Sequence, residues 1–329
     1  MDIDLAALRA MERDKEIPME YLITTLEDAL LNAYDKTEHP LRGVKVEIDR
    51  KTGKVSVLAP EFGEDDDEVI GYYDDTPSDF GRVAASTARQ VIFQRLREAE
   101  DDQKFGHFAG SEGDILNGMV QADRDSKAVR VDIGSLEAIM PLAEQAPGEE
   151  YVHGKRLKVY VVSVRREIKG PQVVVSRTHP NLVRKLFALE VPEIDQGVVE
   201  IMEVAREAGH RTKIAVRSNV ASVSAKGACI GPMGQRVRAI TNELGTEKID
   251  IVDWSEDPTK FVAAALSPAK VISVTVVDQA TRACQAIVPD YQLSLAIGRE
   301  GQNARLAARL TGWRIDIQPD TPTERSTPA

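Results

Sequence analysis

Two tetrapeptides of one form stand in the last third of this 329-residue chain: Gly231-Pro232-Met233-Gly234 and Gly298-Arg299-Glu300-Gly301. They begin at 231 and 298, 67 residues apart. Gln235, Arg236 and Arg238 follow the first; Gln302, Asn303 and Arg305 follow the second. Glycine lacks the Cβ that would keep a ligand's backbone at a distance. A helix opening at the second glycine offers free N–H groups and the positive end of its dipole, which favour phosphate. Amide and guanidinium donors behind it suit phosphates, sugars and base edges. The chemistry indicated is non-covalent capture of a sugar-phosphate chain. One such loop could equally be a glycine helix cap beside solvated arginines; two in one frame indicate a duplicated module.

The elements around each loop must present it in the same way. An apolar helical run precedes each GxxG, an amphipathic helix follows, and then comes one strand tripeptide, Ile249-Asp250-Ile251 or Ile315-Asp316-Ile317. Such a frame resembles the KH domain, which clamps single-stranded RNA with its GxxG loop. Periodicity places the second module as helix 258–266, strands 271–277 and 283–288, helices 291–297 and 302–310, and strand 313–317. The order α-β-β-α-α-β is that of the type II KH fold. For the first module it predicts a connecting helix over 181–188, a helix over 195–207, a strand over 212–216, helices 225–230 and 235–244, and a strand over 248–253. Only Asp253-Trp254-Ser255-Glu256-Asp257 joins the two, so both loops are expected on one rigid surface.

Upstream, five short strand runs (115–120, 128–133, 136–140, 157–164, 173–176) suit a small OB-type barrel. Its Gly113-to-Val120 opening resembles an S1-type RNA-binding barrel. Tyr160, Arg165 and Arg166 are its candidate nucleic-acid contacts; a spacer or docking barrel is an equal reading. The head carries helices over 2–16 and 18–34, a hairpin of strands 44–48 and 54–58 around Lys51-Thr52-Gly53, and an acidic loop over 61–68. Pro77-Ser78-Asp79 caps a helix from 80 to about 101. The run Glu64-Asp65-Asp66-Asp67-Glu68 reads as a solvated face, since catalytic carboxylates converge from separate elements.

Charge is unevenly placed. The chain holds 53 acidic and 42 basic residues, a net −11. Residues 1–104 hold 25 acidic and 14 basic residues, and the remainder is neutral. The head therefore suits a basic protein surface better than a polyanion. Cys229 and Cys284 sit in apolar surroundings without metal-ligand spacing and read as reduced core thiols. No metal, cofactor or catalytic group is expected. No signal peptide or membrane-length stretch stands in the sequence, and a cytoplasmic monomer is expected.

Together the fold class is multidomain α+β: an N-terminal α/β head with helical body (1–104), an S1-type OB β-barrel (110–178), two tandem type II KH domains (179–254 and 255–318) and a disordered tail (319–329). That series resembles the NusA family of bacterial transcription elongation, termination and antitermination factors. The residues carrying the resemblance include Phe80-Gly81-Arg82-Val83-Ala84-Ala85, Ser176-Arg177-Thr178, Arg211-Thr212-Lys213-Ile214-Ala215-Val216 and Gly227-Ala228-Cys229-Ile230-Gly231. The run from Gln292-Leu293-Ser294-Leu295-Ala296-Ile297-Gly298 to Gly301-Gln302-Asn303-Ala304-Arg305-Leu306-Ala307 is the most specific.

The resemblance implies that residues 1–104 bind RNA polymerase core. It implies that barrel and KH modules take nascent single-stranded RNA, ribosomal RNA leaders included, and that other Nus factors join in antitermination. It implies no enzymatic activity. Met233 stands where a basic residue is common, and Ala208 where proline is. Glu300 adds a negative charge to the second loop. The acidic C-terminal repeats of some relatives are absent from this sequence, so autoinhibition through them is not expected. The alternative is an RNA-processing or ribosome-associated KH/OB RNA-binding protein.

Overall fold

The computed structural model describes residues 2–15, 17–37, 40–63, 69–78, 80–121, 127–167 and 170–320. The acidic run 64–68, the cap residue Asp79 and, beyond Asp320, the expected tail lie outside the described residues. The chain divides into two compact units, residues 1–107 with 166–171, and residues 108–165 with 172–329.

In the first unit, helix α1 (Leu5–Lys15) and helix α2 (Met19–Tyr34) turn one face inward. From α2 this face is Leu22, Ile23, Leu26, Leu30 and Tyr34, at helical spacing. They pack on the buried side of strands β1 (Lys45–Ile48) and β2 (Val55–Phe62), where Val46, Ile48, Val55, Val57 and Ala59 alternate with outward residues. The hairpin gains a third strand that its sequence did not signal, β3 (Val69–Asp74), antiparallel to β2. Nearly all of β3 is exposed, so it lacks the apolar alternation that marks a half-buried strand. Helix α3 (Phe80–Ala109) runs on past the expected end near 101. It meets the core through Phe80, Ala84 and Ala88, while Val83 is exposed.

In the second unit, strands β4 (Ile115–Gln121), β5 (Val129–Asp132), β6 (Glu137–Met140), β7 (Arg156–Glu167) and β8 (Gly170–Ser176) close a barrel in the order β4-β5-β6-β8-β7. Gly118 is forced by packing: a Cβ there would stand 2.2 Å from Val131 Cγ1. Helices α4 (Pro180–Glu190) and α5 (Pro192–Asp195) lead into strand β9 (Val199–Glu207). The helix expected over 195–207 is thus mostly a strand. Met202, Glu203, Ala205 and Arg206 favour helix locally, but eight antiparallel residue pairs with β10 (Arg211–Ser218) override that weak preference.

Helices α6 (Ala225–Ile230) and α7 (Gln235–Leu244) and strand β11 (Lys248–Asp253) complete the first module. Its sheet order is β11-β10-β9, with β11 parallel to β10. The first module therefore has the same α-β-β-α-α-β order as the second. That repeat comprises α8 (Pro258–Ala265), β12 (Ser273–Asp278), β13 (Ala283–Val288), α9 (Leu293–Ile297), α10 (Gln302–Thr311) and β14 (Arg314–Pro319). The twin tripeptides occupy like places: Ile249 and Ile251 pair with Thr212 and Ile214, Ile315 and Ile317 with Cys284 and Ala286.

Barrel and first module are tied by a buried guanidinium. Arg177 is 1% exposed and uses its donors on both sides. It reaches Glu149 of the barrel at 2.8 and 2.9 Å, and Glu243 of α7 at 3.0 Å to the carboxylate and 2.7 Å to the carbonyl. A bidentate, fully partnered arginine fixes the angle between the parts it joins. Both cysteines are buried, and burial pushes the Cys229 thiol up to about 12, which makes it a core residue without thiolate chemistry. Among the described residues no helix is long and apolar enough to cross a membrane.

Candidate nucleic-acid interface

The two GxxG loops have one backbone conformation. Gly231 and Gly298 sit at φ/ψ 72/174° and 75/171°, Met233 and Glu300 at 51/23° and 53/26°, and Gly234 and Gly301 at 74/18° and 74/13°. The first glycine of each pair is required by its own protein, not only by a ligand. A Cβ on Gly231 would lie 2.6 Å from Arg236 Cγ, and one on Gly298 would lie 2.8 Å from Asn303 Cβ. The second glycines are open: nothing stands within 4 Å of a Cβ on Gly301, and only Val237 Cγ1, at 4.0 Å, is near one on Gly234.

Met233 and Glu300 take the left-handed conformation that costs a side chain about 1–2 kcal/mol. Each is braced by an arginine one turn into the next helix. Arg238 Nη2 donates to Met233 O at 2.6 Å, and Arg305 Nη1 to Glu300 O at 3.2 Å. The strained residue is thereby aimed at solvent: Met233 is 91% exposed and Glu300 is also exposed.

Two residues expected to meet RNA lie beneath the loops instead. Asn303 is 2% exposed, and its Nδ2 donates to Ala296 O at 2.9 Å and Leu266 O at 3.1 Å. Arg236 is half-buried and donates to Ala228 O at 2.7 Å and Glu193 at 2.9 Å. They stand at matching positions and clamp the helix ahead of each loop to the helix behind it. Sequence could not separate them from their exposed neighbours, because amide and guanidinium groups serve both uses. Pro232, Met233, Gln235 and Arg238 face solvent in the first loop, and Arg299, Glu300 and Arg305 in the second; Gln302 is half-buried. In the barrel, Tyr160 is buried and stacks on His179 with centroids 4.3 Å apart, so its ring offers no platform to a base. Arg165 and Arg166 are exposed at the far end of β7.

The second loop borders a cleft of about 680 Å³ whose opposite wall belongs to the first module. Gly209, His210 and Arg211 of the β9–β10 turn and Lys248 of β11 face Gly298, Arg299 and Glu300 there. No short motif signals Arg211 and Lys248 here, because the wall is assembled by sheet pairing.

The joint between the modules is buried and polar. Lys213, fully buried, donates to Asp250 at 2.9 Å and to Ser267 O, just past α8, at 2.7 Å. Arg211 donates to the same carboxylate at 2.7 and 3.0 Å. Burial pushes the Asp250 carboxyl up, but Arg211 and Lys213 prevail and hold it below its usual value. A depressed carboxylate contributes stability that is complete above its unfolded pKa, about 4, and is lost as pH falls through the lower folded value. Thermal melts from pH 7 to 2 should therefore show Asp250→Asn less stable than the parent at neutral pH, with the gap closing below pH 4.

Comparison with known proteins follows the same division. The NusA-like first KH domain model matches residues 177–254, the NusA-like second KH domain model residues 258–325, and the NusA N-terminal domain model residues 5–62 and 61–102. A transcription termination/antitermination protein NusA of Mycobacterium tuberculosis (strain ATCC 25618 / H37Rv) is 58% identical over 329 residues, spanning 98% of this chain and 94% of that protein. The protein of that name from Bacillus subtilis (strain 168) is 48% identical, spanning 96% and 91%. Among solved structures, the solution structure of the N-terminal domain of NusA from B. subtilis is 34% identical with a TM-score of 0.25, covering 29% of this chain and 94% of that one. These are transcription factors with RNA-binding KH domains rather than enzymes. With the N-terminal domain and both KH domains matched in order, and relatives this similar along nearly its whole length, the chain belongs to the NusA family.

Proposed function

We propose that this protein is a cytoplasmic transcription elongation, termination and antitermination factor. Its head, residues 1–104, docks on RNA polymerase core. Its paired KH loops hold nascent single-stranded RNA, ribosomal RNA leaders included, and the complex admits other Nus factors. The observation that carries this reading is the twin loop: two GxxG turns of one conformation, mounted on modules whose joint is buried and ion-paired. Two weak sites in fixed register act on one strand with a high effective concentration. The acid excess of residues 1–104 supports the division of labour, since it opposes polyanion binding there and favours a basic protein surface.

RNA contact is assigned to Gly231, Pro232, Met233, Gly234, Gln235 and Arg238 of the first loop and to Gly298, Arg299, Glu300, Gly301 and Gln302 of the second, with Arg305 behind it bracing the Glu300 carbonyl rather than touching the strand. The test of the docking half uses two fragments cut at the end of α3. Residues 1–109 are expected to retain RNA polymerase core on a column, and residues 110–329 to retain single-stranded RNA. Polymerase retained only by residues 110–329 would overturn the assignment.

A further inference from the structure

Arg238 and Arg305 stand at equivalent places, each bracing the carbonyl of the left-handed residue ahead of it. Beyond that the modules differ. Among the described residues, only the second of these arginines is also held by a carboxylate, and that carboxylate comes from the other module. Glu207, the last residue of β9, accepts from Arg305 Nε at 2.7 Å, Arg305 Nη2 at 3.3 Å and Gln302 Nε2 at 2.9 Å. Arg309 Nη1 lies 3.6 Å away. Positions 302, 305 and 309 share one face of α10. Two guanidinium groups and an amide thus converge as they would on a phosphate, but on an acid the protein itself supplies. Hydrogen bonds from Arg305 hold the Glu207 carboxyl below its usual value against the opposing effect of burial, so it is charged at neutral pH. Glu300 adds a second negative charge within the loop.

We infer that Glu207 is a specificity-determining, positioning residue of the second loop, an internal stand-in for phosphate that keeps Arg305 and Arg309 neutralised. The loop then holds RNA through its backbone donors and base edges rather than through charge, and it does so only while the first module is in place. This rests on the reading of the loop as an RNA site. A residue that merely spliced the modules together would make RNA binding weaker when altered; a phosphate stand-in would make it stronger and less selective.

The test uses the full chain with Glu207→Gln, whose amide oxygen still accepts from Arg305 while the charge is gone. Binding to polyuridylate and polyadenylate of one length is measured across a salt series. Affinity for both is expected to tighten roughly threefold to tenfold, and the slope of log K against log salt to steepen by about 0.7 for each guanidinium released. The preference between the two polymers narrows. Weaker binding or an unchanged slope overturns the inference. Should Glu207→Gln lose cooperative melting, the parent protein decides. Its Arg305 Nε–H resonance is expected to keep its position when RNA is added, and a shift to a phosphate-bound position overturns the inference. A Gly301→Asp chain that binds RNA like the parent would instead indict the loop assignment, whatever Glu207 does.

Discussion

Gly234→Asp and Gly301→Asp, introduced together, should lower affinity for single-stranded RNA about tenfold to a hundredfold and leave the chain folded. Both glycines sit at φ 74° at the mouth of a helix, where aspartate tolerates the left-handed conformation better than most residues do. Space is available at both, since the nearest atom to either added Cβ is Val237 Cγ1 at 4.0 Å from Gly234. The fold therefore loses about 1–2 kcal/mol per site. The ligand meets a new negative charge where phosphate is to lie, and a hydrogen bond to a charged group is worth about 1.5–3 kcal/mol. Gel-shift titration beside a thermal melt separates the two effects. Gly231 and Gly298 would be the wrong choice. Their backbone region is open essentially to glycine alone, and an added Cβ strikes Arg236 or Asn303, so stability would fall for reasons unrelated to RNA.

The largest loss of stability is expected from Glu247→Ala, about 3–5 kcal/mol. Glu247 and Arg206 are both almost wholly buried and meet at 2.9 Å through two bonds. The carboxylate also accepts from Gly209 N at 2.9 Å and Thr212 Oγ1 at 2.5 Å. Deleting it leaves the Arg206 guanidinium without a counter-charge, held only by the His179 and Arg177 carbonyls, and strands an amide and a hydroxyl in the interior. It also frees the turn that carries His210, and with it the hold on Glu207. Urea melts should show the midpoint falling steeply. Replacing both partners, Arg206→Met with Glu247→Leu, should cost less than the single change, because no charge is left unpaired.

Much of the RNA-facing half of this molecule was legible because chemistry and spacing repeat. Gly231 and Gly298 head identical turns, and the strands marked by Ile249-Asp250-Ile251 and Ile315-Asp316-Ile317 pair alike. The barrel strands were legible for a similar reason, with apolar runs cut by glycine and charge. The illegible parts each have a physical cause. β9 contains helix formers and becomes a strand through pairing with β10. β3 is exposed along nearly its whole length and carries no alternation. Asn303 and Arg236 have the same donors as their exposed neighbours, and only packing turns them inward. The Glu207–Arg305 contact joins residues 98 positions apart, a distance over which local pattern says nothing.

The central claim is that both loops hold one strand of nascent RNA at a fixed spacing. A photo-crosslinking amino acid placed at Met233 or Glu300, the exposed summit of each loop, tests it in elongation complexes stalled at successive transcript lengths. The account predicts crosslinks from both positions to the same transcript, with a constant number of nucleotides between the two sites as the transcript lengthens. Crosslinks from only one loop, or a spacing that wanders from one transcript length to the next, would contradict it.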